Sequence, residues 1–217
     1  MKNEALRANI LSAKIIANVS PELASSLGID TKHKCIGILT ADSDDVTYTA
    51  LDEATKASEV EIVYARSCYA GAANASTKLA GEVIGIMAGP SPAEVRSGMN
   101  AAIEFIQHGA HFVSANEDNS IPYYAHTISR TGSYLSKTAN IQEGEALAYL
   151  VAPPLEAMYS LDAALKAADV KMAAFFGPPT ETNFGGGLLT GTQSACRAAC
   201  DAFAAAVQYV ADNPTVL

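Results

Sequence analysis

The chain has 217 residues, 49 % of them hydrophobic, which is enough for one large core or two small ones and excludes a disordered or fibrous protein. Its formal charge of −9, from 23 acidic against 14 basic side chains with no Lys/Arg cluster, disfavours nucleic acid and anionic membranes as partners. Charged residues total only 17 % and mean hydropathy is +0.13, so part of the surface is expected to meet other protein, most simply in a homo-oligomer.

Residues 3–19 carry Leu6, Ile10, Leu11, Ile15 and Ile16 at helical spacing, which predicts one amphipathic helix, and Ser20-Pro21-Glu22 starts a short second helix. The aliphatic run from Cys35 to Ala41 reads as a strand. Asp42, Ser43, Asp44 and Asp45 then stand where a helix over residues 46–58 needs its free amides capped. A second strand is predicted over 61–65, a loop of small residues over 70–77 and a third strand over 81–88. Ser91 caps a helix that opens at Pro92 and stops at Gly109, and 111–115 forms an edge strand. Residues 116–140 join two halves. The remainder reads as an apolar segment (145–151), a helix after Pro153-Pro154, a strand (171–176), a loop (177–187), a short strand (188–191) and a last helix (193–211).

The order repeats, and so does the sequence. Leu51, Asp52, Ala54, Lys56, Ala57 and Val60 recur without a gap as Leu161, Asp162, Ala164, Lys166, Ala167 and Val170, displaced by 110 positions. Apolar segments flank both copies, and a Gly-rich loop followed by a long helix closes each. Two equivalent α/β units are expected, 1–113 and 114–217, each a small sheet with helices packed on it.

The densest chemistry lies at Asp42, Ser43, Asp44 and Asp45, between a strand's carboxyl end and a helix's amino end, where open sheets bind ligands. Clustered carboxylates there suit a hard cation or an amine. The second copy has Ala152, Pro153, Pro154 and Leu155 at these positions, so a capping need common to both halves is met there without acids. Glu82 follows the first Gly-rich loop and is placed to join the group. Gly185-Gly186-Gly187 lacks the spacing of a nucleotide loop and reads as a backbone-exposing loop. The cysteines, Cys35, Cys68, Cys196 and Cys200, contain no CxxC, and no secretory leader is evident; reduced thiols in the cytoplasm are expected. Cys196 and Cys200 read as two small buried thiols on one helix face. No hydrolase or metalloprotease signature is present.

Four runs carry a resemblance: residues 41–48 (ADSDDVTY), 69–73 (YAGAA), 129–136 (SRTGSYLS) and 148–157 (AYLVAPPLEA). They resemble the ethanolamine-utilisation shell proteins of bacterial microcompartments, whose chains carry two tandem microcompartment domains. The resemblance implies circularly permuted domains, a pseudohexameric homotrimer that tiles into the shell with other shell proteins, and no catalytic or metal site. It implies a gated central pore, with Tyr69, Gly71, Ala73 and Asn74 in one gating loop and Thr182, Asn183, Phe184, Gly185 and Gly186 in the other. It also implies an ethanolamine site in each subunit at Asp44, Asp45 and Glu82, with Phe112 nearby. A corrinoid (cobalamin) is a further passenger the pore could hold or pass, with Tyr69, Tyr134 and Phe184 able to supply flat apolar surface. The rival readings are a metal-dependent enzyme built on Asp42–Asp45 with Glu82, and a soluble trimeric metabolite-binding protein that forms no sheets.

Overall fold

Ten strands and six helices make up residues 1–67 and 82–216, the part of the chain that the computed structural model describes. They are β1 (Ala5–Leu6), β2 (Ile10–Ile16), α1 (Pro21–Ser26), β3 (Cys35–Ala41), α2 (Asp44–Ala57), β4 (Glu61–Ser67), β5 (Val83–Gly89), α3 (Pro92–His108), β6 (Phe112–Ser114) and β7 (Pro122–Ile128). After these come α4 (Ser133–Ala139), β8 (Ala146–Ala152), α5 (Pro154–Ala167), β9 (Val170–Phe176), β10 (Gly185–Gly191) and α6 (Gln193–Asp212).

The chain separates into two compact units, and each is an antiparallel sheet with a helix pair on one face. One unit comprises Arg7–Ala110 with Gly132–Leu135; the other comprises Met1–Leu6, His111–Thr131 and Ser136–Leu217. Each unit is therefore assembled from more than one stretch of chain. In the first unit the strand order is β2-β3-β5-β4, and in the second β1-β6-β7-β8-β10-β9. Thus β2-β3-β5-β4 repeats as β7-β8-β10-β9, with β1 and β6 added at the β7 edge.

Local detail repeats as well. The β4/β5 ladder shifts register between Ile62 and Tyr64, and the β10/β9 ladder between Ala174 and Met172, so one strand residue is bulged out in each copy, Val63 and Ala173. After α1, Gly28 (φ 66°) donates to Ser25 O and Ile29 to Ala24 O. After α4, Asn140 (φ 51°) donates to Lys137 O and Ile141 to Ser136 O. Both pairs of positions are related by a displacement of 112, which fixes the alignment of α1 with α4 residue by residue.

Alternation along the strands builds each core. In the first unit Ile36, Ile86 and Ala88 pack with Val19 and Ile29 on one side of the sheet, while α2 and α3 cover the other. In the second, Ala148, Leu150 and Leu189 meet Leu161, Cys196, Phe203 and Val207 from α5 and α6.

Two expectations fail. The helix predicted over residues 3–19 is instead β1 and β2. Ile10, Ile15 and Ile16 satisfy a helical spacing but are β-branched, and pairing with β3 along Ile10↔Ala41 to Ile16↔Ile36 decides in favour of a strand. The loop expected to run to residue 187 ends sooner: Gly185, Gly186 and Gly187 lie inside β10, paired on both sides with β8 and β9. A Cβ on Gly186 would sit 1.9 Å from the Leu150 carbonyl oxygen, so the glycine there answers a close backbone approach and not a need for mobility.

Candidate functional site

The β3–α2 turn positions four polar side chains that behave differently from one another. Asp42 accepts from the Asn9 amide at 2.6 Å and its Nδ2 at 2.8 Å, tying the start of β2 to the end of β3. Ser43 is the N-cap residue by position, yet its side chain makes no capping bond, and its hydroxyl is buried without a partner. The first-turn amide that a side chain does accept is that of Asp45, and Asp44 takes it.

Asp44 and Asp45 open α2 and are 6 % and 7 % exposed. Asp44 accepts the Ser67 hydroxyl at 2.7 Å on one oxygen and the Asp45 amide at 2.9 Å on the other. Burial pushes its carboxyl well above the ordinary range and the adjacent Asp45 charge adds to this, while the Ser67 hydroxyl works in the opposite direction. Glu82 immediately precedes Val83, whose ladder partners are Ala41 at the end of β3 and Ser67 at the end of β4. Glu82 is partly buried and is thereby placed at the sheet end where α2 begins. Two desolvated carboxylates at one helix start, with a third acid just before the neighbouring strand, favour a small cation that brings its own hydrogen-bond donors.

The other predicted residues have surroundings of their own. Phe112 belongs to the second compact unit and is fully buried there, with ring centroids 5.3 Å from Tyr124 and 6.0 Å from Phe184. Tyr124 in turn meets Tyr149 edge to face at 5.4 Å, and Tyr149 lies 6.2 Å from Phe176. Phe184 is therefore a member of an aromatic cluster. Thr182 is buried, its hydroxyl 3.2 Å from that of Thr180, and Asn183 turns the chain with φ 65°. Tyr69, Gly71, Ala73 and Asn74 lie outside the described residues. Cys196 and Cys200 are buried free thiols, and burial pushes Cys200 up to about 11. Among the described residues no group of three His, Cys, Asp or Glu side chains is placed to hold a metal ion, and no helix is long and apolar enough to cross a membrane.

Residues 35–121 match the BMC domain family, a span that takes in β3 to β6 and leaves β2 outside. The bacterial microcompartment shell protein EutL of Clostridium perfringens is 75 % identical over 214 residues, covering 99 % of both chains. The EutL of Escherichia coli K12 is 51 % identical over 209 residues, covering 96 % of this chain and 95 % of that one. The crystal structure of the ethanolamine utilization protein EutL from Leptotrichia buccalis superposes with a TM-score of 0.96 at 67 % identity and full coverage of both chains. The chain belongs to the EutL family of bacterial microcompartment shell proteins. Proteins of the EutL family are structural, so the chain is a component of a microcompartment shell and not an enzyme. Its fold is the tandem pair of BMC domains, in which β2 precedes the matched segment although it completes the sheet edge beside β3.

Sequence reasoning missed the roles of two residues that the structure makes prominent, Ser67 and Asp52. Ser67 is Asp44's hydrogen-bond donor; no motif marks it, because the contact depends on where β4 ends. Asp52 was noticed as a repeated letter, but its role comes from what it touches. Fully buried, it accepts the Gly132 amide at 2.7 Å and the Leu135 amide at 2.8 Å, and so caps the start of α4. A carboxylate kept at one place in both copies was the available signal.

Proposed function

We propose that the protein is the pseudohexameric homotrimeric shell tile of an ethanolamine-utilising microcompartment, with a central pore that opens and closes and an acidic ethanolamine site in each subunit. The relatives are named as ethanolamine utilisation shell proteins, and their near-complete likeness to this chain supports the structural half of the reading.

Asp44 carries the ligand half. A carboxyl so buried and so close to Asp45 is costly to ionise; a bound ammonium ion offsets that cost with charge and with three N–H donors, while a hydroxyl at the other end of the ligand can use a neighbouring acid. Net acidity of the chain repels anions and favours the cation at a distance. Phe112, which the resemblance puts near the acids, remains part of the proposed site.

Titration of ethanolamine by calorimetry tests it. Asp44→Asn keeps the shape and the Ser67 contact but removes the charge, and should weaken binding about 10- to 100-fold, the worth of one charged hydrogen bond. Equal affinity for the wild type and Asp44→Asn refutes the site. Extended hexagonal sheets of three-fold particles under the electron microscope are the expected assembly; isolated particles at every concentration would refute the tile.

A further inference from the structure

Grooves flank α3 toward α2 and toward β2, and they differ in what their charges meet. The groove toward α2 is lined by Glu53, Lys56, Glu104 and His108 among others, and its lysine is already paired with Glu53 and, at 3.7 Å, with Asp52. The groove toward β2 has a volume of about 320 Å³, near the lower end for a small-molecule site. Ala13 and Ile15, two apart on β2, form one apolar wall, and Met99 and Ile103, one turn apart on α3, form the other. Lys14, Arg96 and Asn100 complete the lining, which contains no carboxylate. Lys14 and Arg96 are exposed, and among the described residues their side chains form no ion pair and no hydrogen bond. On a chain with 23 acidic and 14 basic side chains, two cations in one acid-free groove make a basic spot on an acidic surface.

Packing α3 on β2 does not by itself require this composition, because the second unit builds the same seam differently. Ser91 caps α3 by accepting the Glu94 amide, and Thr192 caps α6 by accepting the Ala195 amide. This displacement of 101 carries the buried Val95, Met99, Ala102 and Ile106 onto the buried Cys196, Cys200, Phe203 and Val207, which aligns the two helices residue by residue. Arg96 then recurs as Arg197, but Asn100 is replaced by Asp201, an acid one turn from that arginine. Along the strands the displacement is 112, so Lys14 gives way to His126 and Ile15 to Thr127, whose hydroxyl stands 3.4 Å from the Cys200 sulfur. The second copy thus supplies its arginine with an acid and puts a polar group on the wall. The first copy keeps the arginine, omits the acid and makes the wall aliphatic.

We propose that the groove between β2 and α3 binds a small organic anion, a carboxylate on a short aliphatic body. The planar guanidinium of Arg96 matches a carboxylate through two parallel N–H donors. The Asn100 amide, one turn along α3, adds a donor, and the Lys14 ammonium adds charge. The aliphatic body lies against Ala13, Ile15, Met99 and Ile103 and is thereby removed from water. Charge separates this site from the acidic one at Asp44 and Asp45: an ammonium ligand is repelled here, and a carboxylate is repelled there. Neither site depends on the other.

Saturation-transfer NMR on the full-length protein at low salt tests it, with butyrate as the probe, acetate as its shorter analogue and propylammonium as its cationic counterpart. Expected is transfer to the butyrate methyl and methylene protons that ethanolamine does not displace. Acetate, two methylenes shorter, should bind about tenfold more weakly. Arg96→Gln, a change at an exposed helix position, should weaken butyrate binding about tenfold while circular dichroism is unchanged. Butyrate that receives no transfer, or that binds wild type and Arg96→Gln equally, overturns the site. Acetate equal to butyrate overturns the apolar walls, and propylammonium equal to butyrate overturns the selection by charge.

Discussion

Asp52→Ala should loosen the first compact unit at one identifiable place. Two backbone amides, of Gly132 and Leu135, lose a carboxylate at 2.7 and 2.8 Å, and neither has room for an easy substitute because the site is fully buried. A hydrogen bond to a charged acceptor contributes about 1.5–3 kcal/mol, and loss of an N-cap alone costs about 0.5–2 kcal/mol. With partial entry of water the combined loss is about 3 kcal/mol, equivalent to a fall of about 6–12 °C in Tm for a chain of this size. Burial and the Asp52 charge also push the Tyr134 phenol up to about 12, so the tyrosine stays neutral and adds no competing pH effect at neutrality. The assay is hydrogen exchange read by mass spectrometry on peptides that span residues 130–139, alongside a thermal melt. Asp162→Ala is the control: its exposed ion pair is worth about 0.5 kcal/mol or less, and exchange in those peptides should not change. A drop of less than about 1 kcal/mol, or unchanged exchange at Gly132 and Leu135 in Asp52→Ala, would refute the capping role.

Three further outcomes follow from the same geometry. Because the folded-state carboxyl of Asp44 titrates above its unfolded value, its contribution to stability is fully present below the unfolded pKa and is lost as pH rises through the folded one. Asp44→Asn should therefore raise Tm by ~2–4 °C, about 1 kcal/mol, at neutral pH, with the gain vanishing in acid; no gain at neutrality contradicts the burial argument. In the proposed site ethanolamine would need the carboxylate, so its binding should weaken as pH falls through that raised pKa and should release protons. Calorimetry in buffers of different ionisation enthalpy reads this release, and a buffer-independent enthalpy counts against it. Gly186→Ala drives a Cβ into the Leu150 carbonyl at 1.9 Å and should cost about 3 kcal/mol, read as a lowered urea midpoint; an unchanged midpoint would show that the strands separate freely there.

Patterns carried by contiguous residues were legible in the sequence. Cys35–Ala41, the helix starting at Pro92 behind Ser91, and the six-residue identity between α2 and α5 all depend on spacing and capping that a linear reading supplies. Ile10–Ile16 was not, because the same isoleucines suit a helix stripe and an edge strand, and only the partner β3 distinguishes them. Gly185–Gly187 misled for a related reason: three glycines signify freedom in isolation, whereas between β8 and β9 they are the residues small enough to fit. For the site, the acids at Asp44 and Asp45 announce themselves by their absence from the second copy. Ser67, by contrast, is recruited by the end of a strand.

The exchange of short pieces between the two compact units bears on how such a tandem chain can evolve. Met1–Leu6 supplies the outer strand of the unit that contains the carboxyl-terminal half, and Gly132–Leu135 supplies the partner that Asp52 needs in the other. A gene split near codon 110 would leave one product with an uncovered sheet edge and the other with a buried, unanswered carboxylate. Once those exchanges were in place, fission back to two separate single-domain proteins became a step through two damaged intermediates, which makes the fusion a ratchet.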